Sequence, residues 1–275
     1  MKHFILTIIG AGLMVFATAQ TKIKGIIMDK KSGTGISYAN LGIPNQNIGT
    51  ITDSSGSYRI EILNVNSTDS IIVSCIGYET FKTSLETFSK NPKIGLQEKI
   101  YGLNEVIVLA KRVKTEGREK SHGIKVLFNR KDSTKTLAGG EIAMLFSNRD
   151  KIRITGVNFY LANNSYENIK VRVNIYNAKD TDTDKKLNNT GNIFTITEGK
   201  TGWITANFEN ENIILNKQDY VVAIEILQIS PRSGQLAFLG GFKPYARKTM
   251  VRDVSFGKWK KQPLNLSLYT KFDIL

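Results

Sequence analysis

The chain has 275 residues, of which 41% are hydrophobic, 23% charged and 9% aromatic, and its formal net charge is +14. At about 150 residues per domain this length predicts one or two domains, and the composition excludes wholesale disorder and collagen-like sequence. One cysteine, Cys75, and two histidines, His3 and His122, exclude an intrachain disulfide and a zinc site of the Cys/His type.

The N-terminus has the pattern of an export signal. A short cationic start precedes an apolar run over residues 4–17, and Ala17-Thr18-Ala19 supplies the small residues that a signal peptidase accepts. As a helix the run spans roughly 21 Å, which is too short for a hydrocarbon core of ~30 Å. We therefore predict a signal peptide over residues 1–19. A membrane anchor is the alternative.

After cleavage, the rest of the chain is expected to work outside the cytosol. No later stretch approaches eighteen uninterrupted apolar residues, so we predict no membrane span after cleavage. The predicted location is the periplasm, the outer membrane or the cell surface, and the sequence leaves the choice among them open.

Beyond the signal the hydrophobic pattern has a period of two. Tyr58, Ile60 and Ile62 alternate with polar residues, and the same alternation recurs over 157–161 and 171–175. This period is typical of half-buried strands, and turn-forming residues separate the runs. The pattern predicts an all-β protein, with short helices possible at 85–89 and 140–146.

A stretch rich in charged residues and poor in large apolar ones divides the chain. Such a composition buries little surface and favours a linker. We predict a β-sandwich over residues 20–98, a basic linker over 99–120 and a second β-sandwich over 121–275.

The first of these segments carries several motifs in order. They are a strand ending in a turn, a second strand, a hairpin and a strand closed by Gly-Tyr, at residues 23–29, 37–43, 49–60 and 74–79. This combination resembles the carboxypeptidase-regulatory-like domain, a transthyretin-like sandwich common in exported proteins of Bacteroidetes. The resemblance implies a seven-stranded sandwich that serves as an accessory module and has no catalytic residues of its own.

Three residues of this domain are interpreted as structural. Asp53 can accept a hydrogen bond from the backbone two residues on, and Gly56 can take a positive φ, so together they close a tight turn. Gly77 allows the backbone to bend before Tyr78. Cys75 lies in an apolar strand and is expected to be a core residue, since burial disfavours the thiolate.

The second half contains the candidate ligand-binding residues. Residues 202–225 resemble a pattern of carbohydrate-binding-like jelly rolls, which implies a jelly-roll-like sandwich. Trp203, Trp259, Tyr245 and Tyr269 could stack on sugar rings through their flat apolar faces. Core packing is the alternative for Trp203, whereas the lysines beside Trp259 favour an exposed loop.

The sequence patterns that could indicate a catalytic or metal-binding site are weak. Asp180, Asp182 and Asp184 alternate as calcium ligands can, but no glycine follows them, which favours a solvated acidic turn. His122 lies beside the charged linker, where a catalytic base would be poorly held. The prediction is therefore no enzyme, no metal and no cofactor.

The positive charge and the predicted export indicate the class of partner. Export argues against nucleic acid and favours envelope proteins or anionic or neutral glycans. We predict a non-catalytic envelope protein that acts as a scaffold or binding module. The alternatives are a carbohydrate-binding accessory protein and a hydrolase that uses carboxylates such as Glu209 and Glu211. The oligomeric state is left open.

Overall fold

The computed structural model describes residues 21–99, 112–128, 137–179, 186–188, 191–230, 234–243, 245 and 248–275. The predicted signal peptide and the acidic triplet at 180–184 lie outside these residues. The described strands are β1 (Thr21–Asp29), β2 (Asn40–Ile43), β3 (Ile48–Ile51), β4 (Ser57–Ile62), β5 (Ser70–Ser74), β6 (Phe81–Ser84), β7 (Lys93–Leu96), β8 (Arg112–Gly117), β9 (Ile124–Leu127), β10 (Glu141–Phe146), β11 (Ile152–Asn164), β12 (Asn168–Asn177), β13 (Ile193–Thr197), β14 (Gly202–Asn207), β15 (Ile213–Leu215), β16 (Tyr220–Ser230), β17 (Leu236–Phe242), β18 (Thr249–Arg252), β19 (Lys260–Gln262), β20 (Leu264–Leu266) and β21 (Leu268–Ile274), and the helix is α1 (Leu85–Lys90).

The first seven strands form a sandwich of two small sheets. Their strand orders are β4-β1-β7 and β3-β2-β5-β6, and β1 pairs with β7 in parallel. The alternation predicted in β4 is confirmed, because Tyr58, Ile60 and Ile62 are buried in the core of this domain. The seven-stranded sandwich and the short helix at 85–89 are confirmed as well, and Ser84 caps α1 by accepting from the Thr87 N–H.

The remaining strands form a second, larger sandwich. One sheet has the order β13-β12-β16-β10-β18-β19, and we call it the six-stranded sheet. The other has the order β20-β17-β11-β21-β8, with β14 and β15 on β11 and β9 on β17, and we call it the eight-stranded sheet. Alternate residues of both sheets fill one core, including Val173, Ile224, Phe159 and Phe238. The predicted all-β class is confirmed, and the jelly-roll assignment stays a prediction.

The helix expected at 140–146 is wrong. This segment is the strand β10, which lies between β16 and β18 and pairs with both in antiparallel register. Its residues are buried on both sides of the sheet, so the apolar run has no polar alternation. A short apolar run of this kind does not distinguish a buried strand from a helix by its period.

The structure differs from the expected linker at its C-terminal end. Residues 112–117 form β8, which pairs with β21 at the edge of the eight-stranded sheet. An edge strand has one side without a neighbour, and most of its side chains here are exposed. Charged residues suit such an edge, which explains why the composition resembled that of a linker.

Within the described ranges, no helix has the length and the hydropathy that a membrane span requires.

Candidate functional site

The second sandwich has two outer faces with different surroundings. The outer face of the six-stranded sheet contacts the first domain, and we call this contact the seam. It involves residues 38–51 of the first domain, and β12, β16 and residues 253–258 of the second. The outer face of the eight-stranded sheet, which we call the open face, carries a cluster of half-buried aromatic rings.

Charged side chains are fully buried at the seam. Arg172 on β12 lies opposite Glu225 on β16, and its Nε and Nη2 atoms donate to Glu225 Oε2 at 3.0 and 2.7 Å. A second pair joins Arg252 and Glu141 at 2.8 Å. The Asn174 amide connects the pairs by donating to Glu225 at 2.7 Å and to Glu141 at 3.2 Å. Desolvated charges need such partners, because an uncompensated buried charge is strongly destabilising.

Asn40 completes this network from the first domain. Its Nδ2 atom donates to Glu225 Oε1 at 2.5 Å and to Ser255 Oγ at 2.8 Å. Its Oδ1 atom accepts from Arg172 Nη2 at 2.6 Å and from Lys186 Nζ at 3.2 Å. An amide presents an acceptor to the cations and a donor to the carboxylate, which neither an aspartate nor an apolar residue could do.

The two backbones approach closely beside Asn40. A Cβ atom added to Gly49 would lie 2.0 Å from the carbonyl oxygen of Ser255, and one added to Gly42 would lie 2.7 Å from it. The Asn45 N–H donates across the contact to the Phe256 carbonyl at 3.0 Å. The seam therefore leaves no room for a side chain at either glycine.

The open face holds three aromatic rings. Trp203 on β14 lies opposite Tyr160 on β11, and Tyr269 comes from β21 on the other side of β11. The Trp203 ring centroid lies 5.3 Å from that of Tyr160 and 5.0 Å from that of Tyr269, both edge to face. All three side chains are half-buried, so they present ring edges and faces to solvent.

Polar groups border these rings. Thr205 and Asn158 form the cross-strand pair next to Trp203 and Tyr160, and Thr205 Oγ1 donates to Asn158 Oδ1 at 2.7 Å. The Asn158 Nδ2 atom is buried without a hydrogen-bond partner among the described residues. Burial, and then the charge of Glu119, raises the pKa of Tyr269 above its ordinary value, so the phenol is neutral at physiological pH. The border of the cluster therefore carries accessible hydroxyl groups, whereas the Asn158 amide lies beneath the surface.

The structure separates the residues that were predicted to bind a ligand. Trp203 lies in the aromatic cluster, together with Tyr269. Trp259 lies at the other sheet, where its half-buried ring stacks at 4.6 Å on the Arg252 guanidinium. Tyr245 is fully exposed, with no ring contact among the described residues. The motif analysis missed Tyr160, because only the pairing of β11 with β14 places it beside Trp203.

The three predicted turn residues lie in turns of the first domain. Asp53 Oδ1 accepts from the backbone N–H groups of Ser55 and Ser57 at 2.8 and 3.0 Å. The Ser55 hydroxyl, which donates to the same oxygen at 2.7 Å, lowers the pKa of Asp53 most, and the two backbone bonds lower it further. Gly56 and Gly77 have φ values of +81° and +89°, a region that disfavours side chains.

The candidate catalytic residues do not form a catalytic arrangement. Glu209 and Glu211 lie in the turn after β14, and only Glu211 is buried. Burial raises the pKa of the Cys75 thiol, which disfavours the nucleophilic thiolate. His122 is exposed, and its carbonyl oxygen accepts from Arg118 at 2.6 Å. The described residues contain no group of three or more metal-ligating side chains.

An open cleft lies in the first domain. Its volume is about 700 Å³, and its lining includes Asp29, Cys75, Tyr78 and Glu98. Asp29 is already engaged, because its Oδ1 atom accepts from the backbone N–H groups of Lys31 and Ser32 at 2.9 and 2.6 Å. The cleft therefore has fewer free polar groups than its lining suggests.

Comparison with known proteins identifies the first domain. Residues 23–108 match the CarboxypepD_reg-like domain family, so this part of the chain is a domain of that family. No curated protein shows a significant match in sequence. The regulatory-like domain and the sandwich fold together suggest a non-catalytic binding module.

Solved structures with a similar arrangement are distant. The cysteine protease and lectin-like domains of Cwp84, a surface layer associated protein of Clostridium difficile, match with 10% identity and a TM-score of 0.42, over 86% of this chain and 50% of that chain. The chain thus spans half the length of that structure. An infectious bursal disease virus structure (Gx strain) matches with 12% identity and a TM-score of 0.26, over 87% of this chain and 60% of that one. Neither similarity bears on function.

Proposed function

We propose that this protein, with its CarboxypepD_reg-like domain fixed to a second β-sandwich, is a non-catalytic binding protein of the bacterial cell envelope. In this proposal the first domain acts as a scaffold that holds the second sandwich in one orientation. The open face is then the binding surface. Export through the predicted signal peptide places the protein in the periplasm or at the cell surface.

One observation carries the proposal: the two outer faces of the second sandwich differ in what covers them. The first domain covers the polar face of the six-stranded sheet, whereas Trp203, Tyr160 and Tyr269 remain half-exposed on the opposite side. Aromatic side chains contribute large contact areas at low conformational cost, so an accessible cluster of three is suited to binding.

Carbohydrate is the ligand class that these groups favour. Sugar rings have apolar faces that stack on aromatic side chains, and their hydroxyl groups pair with amides and phenols. The face offers three rings together with the hydroxyl of the exposed Thr205 and the neutral phenol of Tyr269. Envelope proteins are the other partner class, and they would be expected to use the same rings as a contact centre.

Glycan binding by matched tryptophan variants tests this proposal. The chain lacking residues 1–19 would be applied to immobilised neutral and anionic glycans and to envelope extract. We expect binding to fall at least tenfold in Trp203→Ala and to persist in Trp259→Ala, whose ring stacks on Arg252 on the opposite side of the sandwich. Equal binding by both variants and the unsubstituted chain would exclude the open face as the binding surface.

Export needs a separate measurement. Cell fractionation followed by N-terminal sequencing should recover the protein outside the cytosol, beginning at Gln20. Recovery of the chain from the cytosol with Met1 intact would contradict the envelope location.

A further inference from the structure

We infer that the two domains fold as one cooperative unit, and that Asn40 is the residue that couples them. The first domain is then a structural part of the second sandwich rather than an independently folding accessory module. This inference concerns folding and does not depend on which ligand the open face binds.

The second sandwich depends on the first domain through Arg172. Two hydrogen bonds of this guanidinium cross the seam, from Nη1 to the Tyr38 carbonyl at 3.0 Å and from Nη2 to Asn40 Oδ1 at 2.6 Å. Glu225 also receives a hydrogen bond from Asn40. Separation of the domains would break these hydrogen bonds and open the ion pair to water, so the seam contributes the free energy of hydrogen bonds to charged groups.

The first domain depends on the second through Tyr38. This residue has a φ of 57°, a left-handed conformation that is unfavourable for a side chain as large as tyrosine. Its hydroxyl accepts from Lys170 Nζ and donates to Gln228 Oε1, both at 3.0 Å. Contacts with the second domain thus stabilise this conformation of Tyr38, and the isolated first domain would populate it less.

An apolar cluster joins the same two regions. Tyr38 and Ile51 of the first domain pack with Leu227 and Ala138 of the second. Side chains that share a cluster or a hydrogen-bond network show strongly non-additive energies. Three kinds of contact, namely hydrogen bonds to charged side chains, apolar packing and backbone hydrogen bonds, therefore couple the stabilities of the domains.

The sequence supplies one intrinsic probe for each domain. Both tryptophans, Trp203 and Trp259, lie in the second sandwich, and the only cysteine, Cys75, lies in the first domain. Tryptophan fluorescence therefore reports unfolding of the second sandwich. Cys75 is partly buried and lines the cleft described above, so the folded chain reacts with a thiol reagent at a rate that is measured first for each variant. Opening of the first domain is then the increase in pulsed labelling above that rate.

The experiment compares both probes in urea on the chain lacking residues 1–19. For the unsubstituted chain we expect coincident midpoints. In Asn40→Asp, which places a carboxylate against Glu225, the thiol midpoint should fall by about 1–2 M and separate from the fluorescence midpoint. Asn66→Asp is the matched control, because Asn66 is exposed and lies outside the seam. It should leave both midpoints coincident.

A second variant keeps the inference testable if Asn40→Asp fails to fold. Ile60→Val removes one methyl group from the core of the first domain, on the sheet that does not contain Asn40. In a single cooperative unit it should lower the thiol and fluorescence midpoints together, by a few tenths of a molar. Separated midpoints in the unsubstituted chain, or a shift of the thiol signal alone in Ile60→Val, would overturn the inference.

Discussion

The second sandwich exposes two β-sheet faces that differ in chemistry and in accessibility. Its covered face, at the seam, carries buried Arg172, Glu225, Glu141 and Arg252, and its open face carries half-buried aromatic rings. Both faces belong to strands that share one apolar core.

The difference teaches what each kind of face requires. Buried charges are tolerated only where a fixed partner supplies matching donors and acceptors, as Asn40 does. Aromatic rings can be exposed to water in the free protein and can contact a ligand in a complex, so they suit a face that binds its partner reversibly. The arrangement therefore separates a permanent contact from an exchangeable one, and the following variants test that separation.

The largest effect is expected from removing a charge at the seam. Arg172→Met would leave Glu225 buried with amide donors but without its guanidinium, at a cost of about 3–5 kcal/mol. Urea denaturation followed by circular dichroism measures this change. The control is Arg153→Met, since Arg153 is 24% exposed and pairs with Asp273 at 2.6 Å. Here we expect a smaller loss of about 1–2 kcal/mol, because Asp273 is 6% exposed but its partner reaches the surface, so water can enter the space that the guanidinium leaves. Equal losses would remove the distinction between the faces.

A methyl group at the closest backbone contact should have the next largest effect. Gly49→Ala places Cβ against the Ser255 carbonyl, so the seam must shift, at a cost of about 1–3 kcal/mol. Gly95→Ala is a suitable comparison, because its Cβ would lie 3.4 Å from Lys30 atoms, in ordinary contact. We expect that variant to be neutral or slightly stabilising in the same denaturation assay. A neutral Gly49→Ala would show that the seam is looser than described.

Loss of the central ring on the open face should cost less stability. Trp203→Ala removes edge-to-face contacts with Tyr160 and Tyr269 and is expected to destabilise the fold by about 1–2 kcal/mol. Trp203→Phe keeps an aromatic ring and should recover part of the loss. Thermal denaturation monitored by circular dichroism gives both values. A loss as large as that of Arg172→Met would mean that the open face is structural.

The smallest effect concerns ionisation of the open face. The raised pKa of Tyr269 means that the fold favours its neutral form. The resulting stabilisation is complete below the unfolded pKa of about 10 and is lost as the pH rises through the folded pKa. Glu119→Gln removes the smaller cause of the shift and should lower this pKa slightly. Tyrosine ring signals in an NMR titration, assigned with Tyr269→Phe, would show it. An unchanged pKa would exclude a contribution from Glu119.

The fold was largely predictable because local signals were strong. Alternation in β4 follows from one buried and one exposed side, and in β12 from one apolar side and one polar side that the seam covers. In both strands the period of two indicated the sheet class directly. The predictions that differed involved central and edge strands. β10 is buried on both faces and lacks alternation, and the edge strand β8 has too many charges to resemble a strand.

The sites were less predictable because they depend on distant pairings. Asn40 and Arg172 are 132 positions apart, and nothing in either local sequence indicates the other. Arg172 and Glu225 are charged residues within otherwise apolar strands. From the sequence alone, a charged residue in such a strand is expected to point to solvent. Trp203 was recognisable as a binding candidate by residue type, whereas Tyr160 became one only through the register of β11 with β14.

The backbone contact between Gly49 and Ser255 has a consequence for related sequences. A protein that combines this first domain with a different second domain, or with none, lacks the contacts that require a glycine at position 49 and an asparagine at position 40. Chains that preserve this seam should therefore retain Asn40, Gly42 and Gly49 together with Arg172 and Glu225. Their joint presence or joint loss across an alignment would distinguish proteins with a fixed pair of domains from those in which the first domain is attached loosely.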